Sequence, residues 1–189
     1  MSTTVITERI AEASPHARMA GIFYLLTFVT GIFAMMVHNR LGFAAGLIAA
    51  ACYIAVTLLF YFLFKPVNRS LSLLAACISL AGCTIGPLGL LVHAFSHINA
   101  LVFFGFYCLL IGYLIFKSTF LPRILGVLMA FAGLGWLTFL SPSLANYLSP
   151  YNMFPGLLGE GALTVWLLVV GVNVSKWEEK ASAWRVSSP

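Results

Sequence analysis

Six apolar runs, each close to the length that crosses a bilayer, follow one another with mostly short polar turns between them. A transmembrane helix needs ~20 apolar residues to cover ~30 Å of hydrocarbon. The runs predict helices over roughly Met19–His38, Leu41–Phe64, Ser70–His93, Asn99–Phe116, Pro122–Leu140 and Pro155–Val174. In lipid, a spanning segment must satisfy its own backbone hydrogen bonds, so helices are expected and an open sheet is excluded. Only 8% of the residues are charged and 61% are hydrophobic, whereas a soluble domain carries about a quarter charged residues. The expected fold is therefore all-α, a polytopic transmembrane six-helix bundle.

Charge orients it. With six spans, Arg9, Arg18, Lys65, Arg69, Lys117, Arg123, Lys176, Lys180 and Arg185 fall on one side, and Arg40 alone falls on the other. The positive-inside rule then predicts that both the N and C termini are cytoplasmic. The corresponding division is a cytoplasmic segment 1–18, a membrane domain 19–174 and a cytoplasmic tail 175–189. No apolar h-region precedes Arg18, so helix 1 is expected to be an uncleaved anchor. Thr7–Ala13 is a candidate short helix that Pro15 would separate from the first span. Residues 141–154, with two Ser-Pro steps, are expected to form turns and extended backbone that cap the outer surface. The net charge of +5 serves topology and contact with anionic lipid headgroups. No basic patch is interleaved with aromatics, so nucleic acid is not an expected partner. The expected partner is the lipid bilayer, and the expected location is a cell membrane crossed several times.

Small residues mark the helix faces that should meet protein. On helix 3, Ser72, Ala75, Ser79, Gly82, Gly86, Gly89 and His93 recur at three- or four-residue spacing, while Leu73, Leu74, Ile78 and Leu80 lie elsewhere. Helix 1 carries Gly21, Tyr24, Thr27, Gly31, Ala34 and His38 in the same way. Helix 2 offers Gly42, Gly46 and Ala50, continued by Tyr53, Thr57 and Tyr61. Helix 6 offers Gly156, Glu160, Thr164, Leu167 and Gly171. Pro87 predicts a kink in helix 3.

The runs LVFFGFYCLLIGYLIFKSTFLPRILGVLMAFAGLGWL and GEGALTVWLLVVGVN, with RMAGIFYLLTFVTGIFA and FKPVNRSLSLLAA upstream, resemble the bacterial membrane family known as domain of unknown function 4386. The resemblance covers roughly residues 17–174. The F-L-P-R-I-L-G and G-E-x-x-L-x-x-W-L-L segments together make it specific. It implies a six-helix protein of the bacterial cytoplasmic membrane, and it transfers no activity and no catalytic residue. The chain departs from the family in a short connection between helices 3 and 4. It also has Tyr107 where many members have histidine.

Glu160 is the sole acidic residue inside the apolar body, since Glu8, Glu12, Glu178 and Glu179 lie in the end segments and the chain has no Asp. A charged carboxylate facing lipid costs several kcal/mol, so Glu160 must be protonated, paired or in a wet cavity. Arg40 is the candidate cationic partner on its side. His38, His93 and His97 fall at the same outer end, and H-x-x-x-H on a helix puts two imidazoles on one face. A metal, if there is one, would take His93, His97 and His38. No cofactor is required by the sequence. The cysteines form no C-x-x-C pair, and no serine triad or phosphate-binding glycine loop is present, which weighs against an enzyme.

Three readings remain open. In the first, Glu160, His93, His38, Arg40 and His97 line an outward-facing polar pocket that binds or transports a small molecule or ion. In the second, the chain is a structural or accessory subunit of a membrane complex, or a homo-oligomer, and its small-residue stripes simply pack helices. In the third it is a metal- or haem-dependent membrane enzyme.

Overall fold

The computed structural model describes residues 3–91 and 99–187, with side chains over 16–86 and 99–184. The described residues contain α-helices and 3-10 turns and no strand. The helices are α1 (Thr3–Met36), α2 (Arg40–Phe64), α3 (Arg69–Leu91), α4 (Ala100–Lys117), α5 (Arg123–Leu137), α6 (Pro142–Leu148), α7 (Phe154–Val169) and α8 (Val174–Ser187). Six segments are long and apolar enough to span a bilayer: His16–Met36, Arg40–Phe64, Arg69–Gly86, Ala100–Lys117, Arg123–Leu140 and Tyr151–Val169. The chain is a six-span, multi-pass membrane protein embedded in lipid.

The packing order is simple. α1 packs on α2, α2 on α3, α3 on α4, α4 on α5, α5 on α7 and α7 back on α1. Sequential neighbours thus close into a ring, as short turns between antiparallel helices favour. One face of each helix is buried and the other faces lipid. On α3, Ser72, Ala75, Ser79 and Gly82 are buried while Leu73 and Leu74 are about half exposed. This is the stripe expected from the sequence. A close seam joins α4 to α5, where Gly112 and Gly126 face each other. A Cβ on either would lie 2.7 Å from the other's carbonyl oxygen. Ile111, Ile115 and Met129 are fully enclosed beside them.

The helix ends differ from the sequence expectation in four places. α1 runs unbroken from Thr3 through Pro15, and it ends at Met36, which puts His38 in the following turn. Asn39 caps α2, its Oδ1 accepting from Leu41 N at 2.8 Å and Gly42 N at 3.2 Å. α5 stops at Leu137 and tightens into a 3-10 turn over Thr138–Leu140, where the Thr138 hydroxyl donates to Gly135 O at 2.7 Å. α7 stops at Val169, because Gly171 takes a positive φ of 77° and the N–H groups of Val170 and Gly171 both close on Trp166 O. Gly171 therefore terminates the helix and does not extend its face. α3 remains helical through Pro87 to Leu91. We predict that Asn39→Ala lowers stability by about 1 kcal/mol, read as a lower unfolding midpoint in detergent.

Residues 141–154 also depart from the expected extended backbone. Ser141 caps the short α6, with Pro142 at its first position, and Tyr151–Met153 form a 3-10 turn. Tyr147 and Tyr151 are 86% and 80% exposed. Asn152 is buried, with Nδ2 donating to Ala145 O and Thr138 Oγ1 at 3.4 and 3.5 Å.

α8 lies against the basic ends of the spans. Trp177 Nε1 donates to Leu63 O at 3.0 Å, Asn173 N to Phe120 O at 3.1 Å, and Lys65 Nζ sits 4.9 Å from the Trp184 ring centre.

Candidate functional site

The ring of helices encloses a polar core built around Glu160. Its position on the inner face of α7 follows from the stripe Gly156, Glu160, Thr164 and Leu167, all buried. Glu160 is 5% exposed. Oε2 accepts from the Tyr24 hydroxyl of α1 at 2.7 Å. Oε1 accepts from Trp136 Nε1 of α5 at 2.5 Å and from Cys108 Sγ of α4 at 3.6 Å. Its own backbone carbonyl accepts from Thr164 Oγ1 at 2.8 Å. Gly156 makes room for the indole, since a Cβ there would fall on the Trp136 ring. One carboxyl therefore collects donors from three other helices, and none of those donors carries a positive charge.

Other hydroxyls surround it. Tyr24 meets Tyr53 edge to face at 5.5 Å between ring centres, and Tyr53 meets Tyr107 at 5.8 Å. The hydroxyls of Tyr53 and Tyr107 are buried without a hydrogen-bond partner among the described residues. Thr57 of α2 and Ser79 of α3 are linked at 2.6 Å, and Thr57 Oγ1 also lies 2.9 Å from Tyr53 O. Each of the six spans thus places a polar side chain in the interior. In hydrocarbon such groups look for partners on neighbouring helices, and they pull the helices into one register.

The structure separates the residues that the sequence grouped together. Glu160 is buried in the core. His38, in the turn before α2, and Arg40, the first residue of α2, are exposed and are not among its hydrogen-bond partners. Tyr24 and Trp136 hold the position assigned in the sequence reading to Arg40. His93 and His97 lie outside the described residues, as does the connection between α3 and α4. Among the described residues, no group of three or more His, Cys, Asp or Glu is placed to hold a metal.

Sequence reasoning missed two of the three partners of Glu160. These are Trp136 of α5 and Cys108 of α4. Neither has a spacing signal, because both meet Glu160 through tertiary packing. Tyr24 did have a signal, since it lies on the small-residue stripe of α1.

Two clefts open at the basic end, one on each side of α8. The larger, about 460 Å³, is lined by His16, Ala17, Leu59, Phe62, Leu63, Trp177 and neighbours. The smaller, about 240 Å³, is lined by Val67, Asn68, Tyr113, Leu114, Lys117 and Lys180.

A family model described as a domain of unknown function (DUF4386) matches residues 37–96 and 88–171. An uncharacterized protein of Archaeoglobus fulgidus is 29% identical over 129 residues, which cover 65% of this chain and 79% of that protein. No solved structure matches the chain.

Proposed function

The chain belongs to the DUF4386 family, and we propose that it is a small ion-binding or transport membrane protein whose working group is Glu160. One observation supports this above the rest. A carboxyl that is 5% exposed is held by Tyr24, Trp136 and Cys108 without a cation among them. An ionised carboxylate in such surroundings is expensive unless a positive charge joins it. Neutral donors alone set up a group that can take up and release a proton, or a small cation in its place. Three other helices, α1, α4 and α5, contribute to it, so loading and unloading would be felt across the bundle. His38 and Arg40 belong to the end opposite Lys65 and Lys117, and in this reading they stand where a solute would approach from that side. With the basic end cytoplasmic, that approach is from outside the cell.

Infrared spectroscopy of the purified protein in lipid tests the proposal. A protonated-carboxyl C=O band should be present and should change with pH or with added Na⁺ or K⁺, and Glu160→Gln should abolish it while the protein stays folded. A band that never changes with pH or with added Na⁺ or K⁺ would reduce Glu160 to a tie between helices. The chain would then be better described as a structural subunit.

A further inference from the structure

We propose that the smaller cleft beside α8 binds a phosphate-bearing anion, with Lys117 and Lys180 as its charged ligands. The two lysines come from separate elements, the last residue of α4 and the middle of α8. They line the same cleft of about 240 Å³ with Asn68 and Tyr113. No carboxylate lines it. Glu178 lines the larger cleft on the other side of α8, and Glu179 lines neither.

Lys117 Nζ lies 5.8 Å from the Tyr113 ring centre, and two cationic side chains lining one cleft favour a shared anion. α8 is held beside the cleft, because Trp177 is tied to Leu63 O and Asn173 to Phe120 O. Lysine suits phosphate as a point charge that needs no planar geometry. The remaining walls say more about the ligand. Val67 and the Tyr113 ring supply the smaller, apolar part of the lining, and Tyr113 is 49% exposed. Basic clefts between spans at this depth are where phospholipid headgroups are held. A free phosphate would use the same two lysines and leave the apolar walls unused.

The test is native mass spectrometry of protein extracted from nanodiscs of phosphatidylcholine with graded phosphatidylglycerol. Wild type should retain phosphatidylglycerol, and the Lys117→Gln/Lys180→Gln double variant should need about 30-fold more of it for the same occupancy. A Lys117→Arg/Lys180→Arg pair should restore retention, showing that charge and not folding was lost. Lys176→Gln, on the same helix but outside the cleft, should behave as wild type. If 10 mM inorganic phosphate leaves the retained lipid in place, the ligand is the headgroup. If it displaces the lipid from wild type and from Lys176→Gln alike, the same site takes free phosphate. Equal weakening by Lys176→Gln, or no weakening in the double variant, overturns the proposal.

Discussion

Gly126→Ala is expected to be among the most damaging single methyl additions in the protein. The added Cβ would lie 2.7 Å from Gly112 O and 3.0 Å from Phe116 N. Both obstacles are backbone, so no side chain can rotate to make room. α4 and α5 would have to separate along the seam that encloses Ile111, Ile115 and Met129. Overpacking costs about 1–3 kcal/mol when side chains can adjust, and a backbone clash belongs at or above the upper end of that range. Gly112→Ala should do the same, because its Cβ meets Gly126 O at 2.7 Å and Ala130 N at 3.0 Å. Gly31→Ala is the control. It sits within α1 with nothing inside 4 Å of the new Cβ, and removing a mid-helix glycine should leave stability unchanged or raise it by up to about 1 kcal/mol. Unfolding midpoints in one detergent would rank the three. Equal midpoints for Gly126→Ala and Gly31→Ala would show that the α4–α5 seam is looser than the geometry requires.

The second large effect concerns the carboxyl itself. Glu160→Ala removes the acceptor for the Tyr24 hydroxyl and the Trp136 indole together. Hydrogen bonds between membrane helices average only ~0.6 kcal/mol, because the separated helices find other partners. Stranding is different, since a buried donor left without an acceptor costs about 1–3 kcal/mol. Two donors are stranded here, so a loss of roughly 2–5 kcal/mol is expected for Glu160→Ala. Glu160→Gln keeps one carbonyl oxygen and should lose clearly less. The two unfolding midpoints provide the check. If Ala and Gln are equally damaging, the side-chain oxygens do not carry the stability, and the negative charge does.

The six spans were legible because a bilayer imposes length and hydrophobicity on each segment separately. The buried stripe of α3 was legible for a related reason, since Ser72, Ala75, Ser79 and Gly82 repeat with the helix period. What the sequence could not specify was which stripe meets which. Glu160 stood out as an isolated acid, but its partners are 136, 52 and 24 residues away in the chain. No local pattern links positions so far apart. Arg40 is the natural partner by charge, yet it sits exposed at the start of α2 while a phenol, an indole and a thiol hold the carboxyl. Helix ends failed where a local device outweighed the apolar run. Gly171 stops α7 although Val170 and Val172 continue the hydrophobic pattern, and Asn39 starts α2 immediately after the His38 turn.

The order in which a ribosome delivers the core has its own consequence. The carboxyl arrives last among the groups that bind it. Tyr24 leaves the ribosome 136 residues earlier, which at about 5–20 residues per second is roughly 7–27 s. By the end of that interval the first five spans have been made, with their central donors unanswered and the gap between α1 and α5 unfilled. Insertion of α7 closes the circle and neutralises that strain in one event. A chain that stalls before α7 therefore presents polar groups to lipid, a mark by which membrane quality control can tell an unfinished molecule from a complete one.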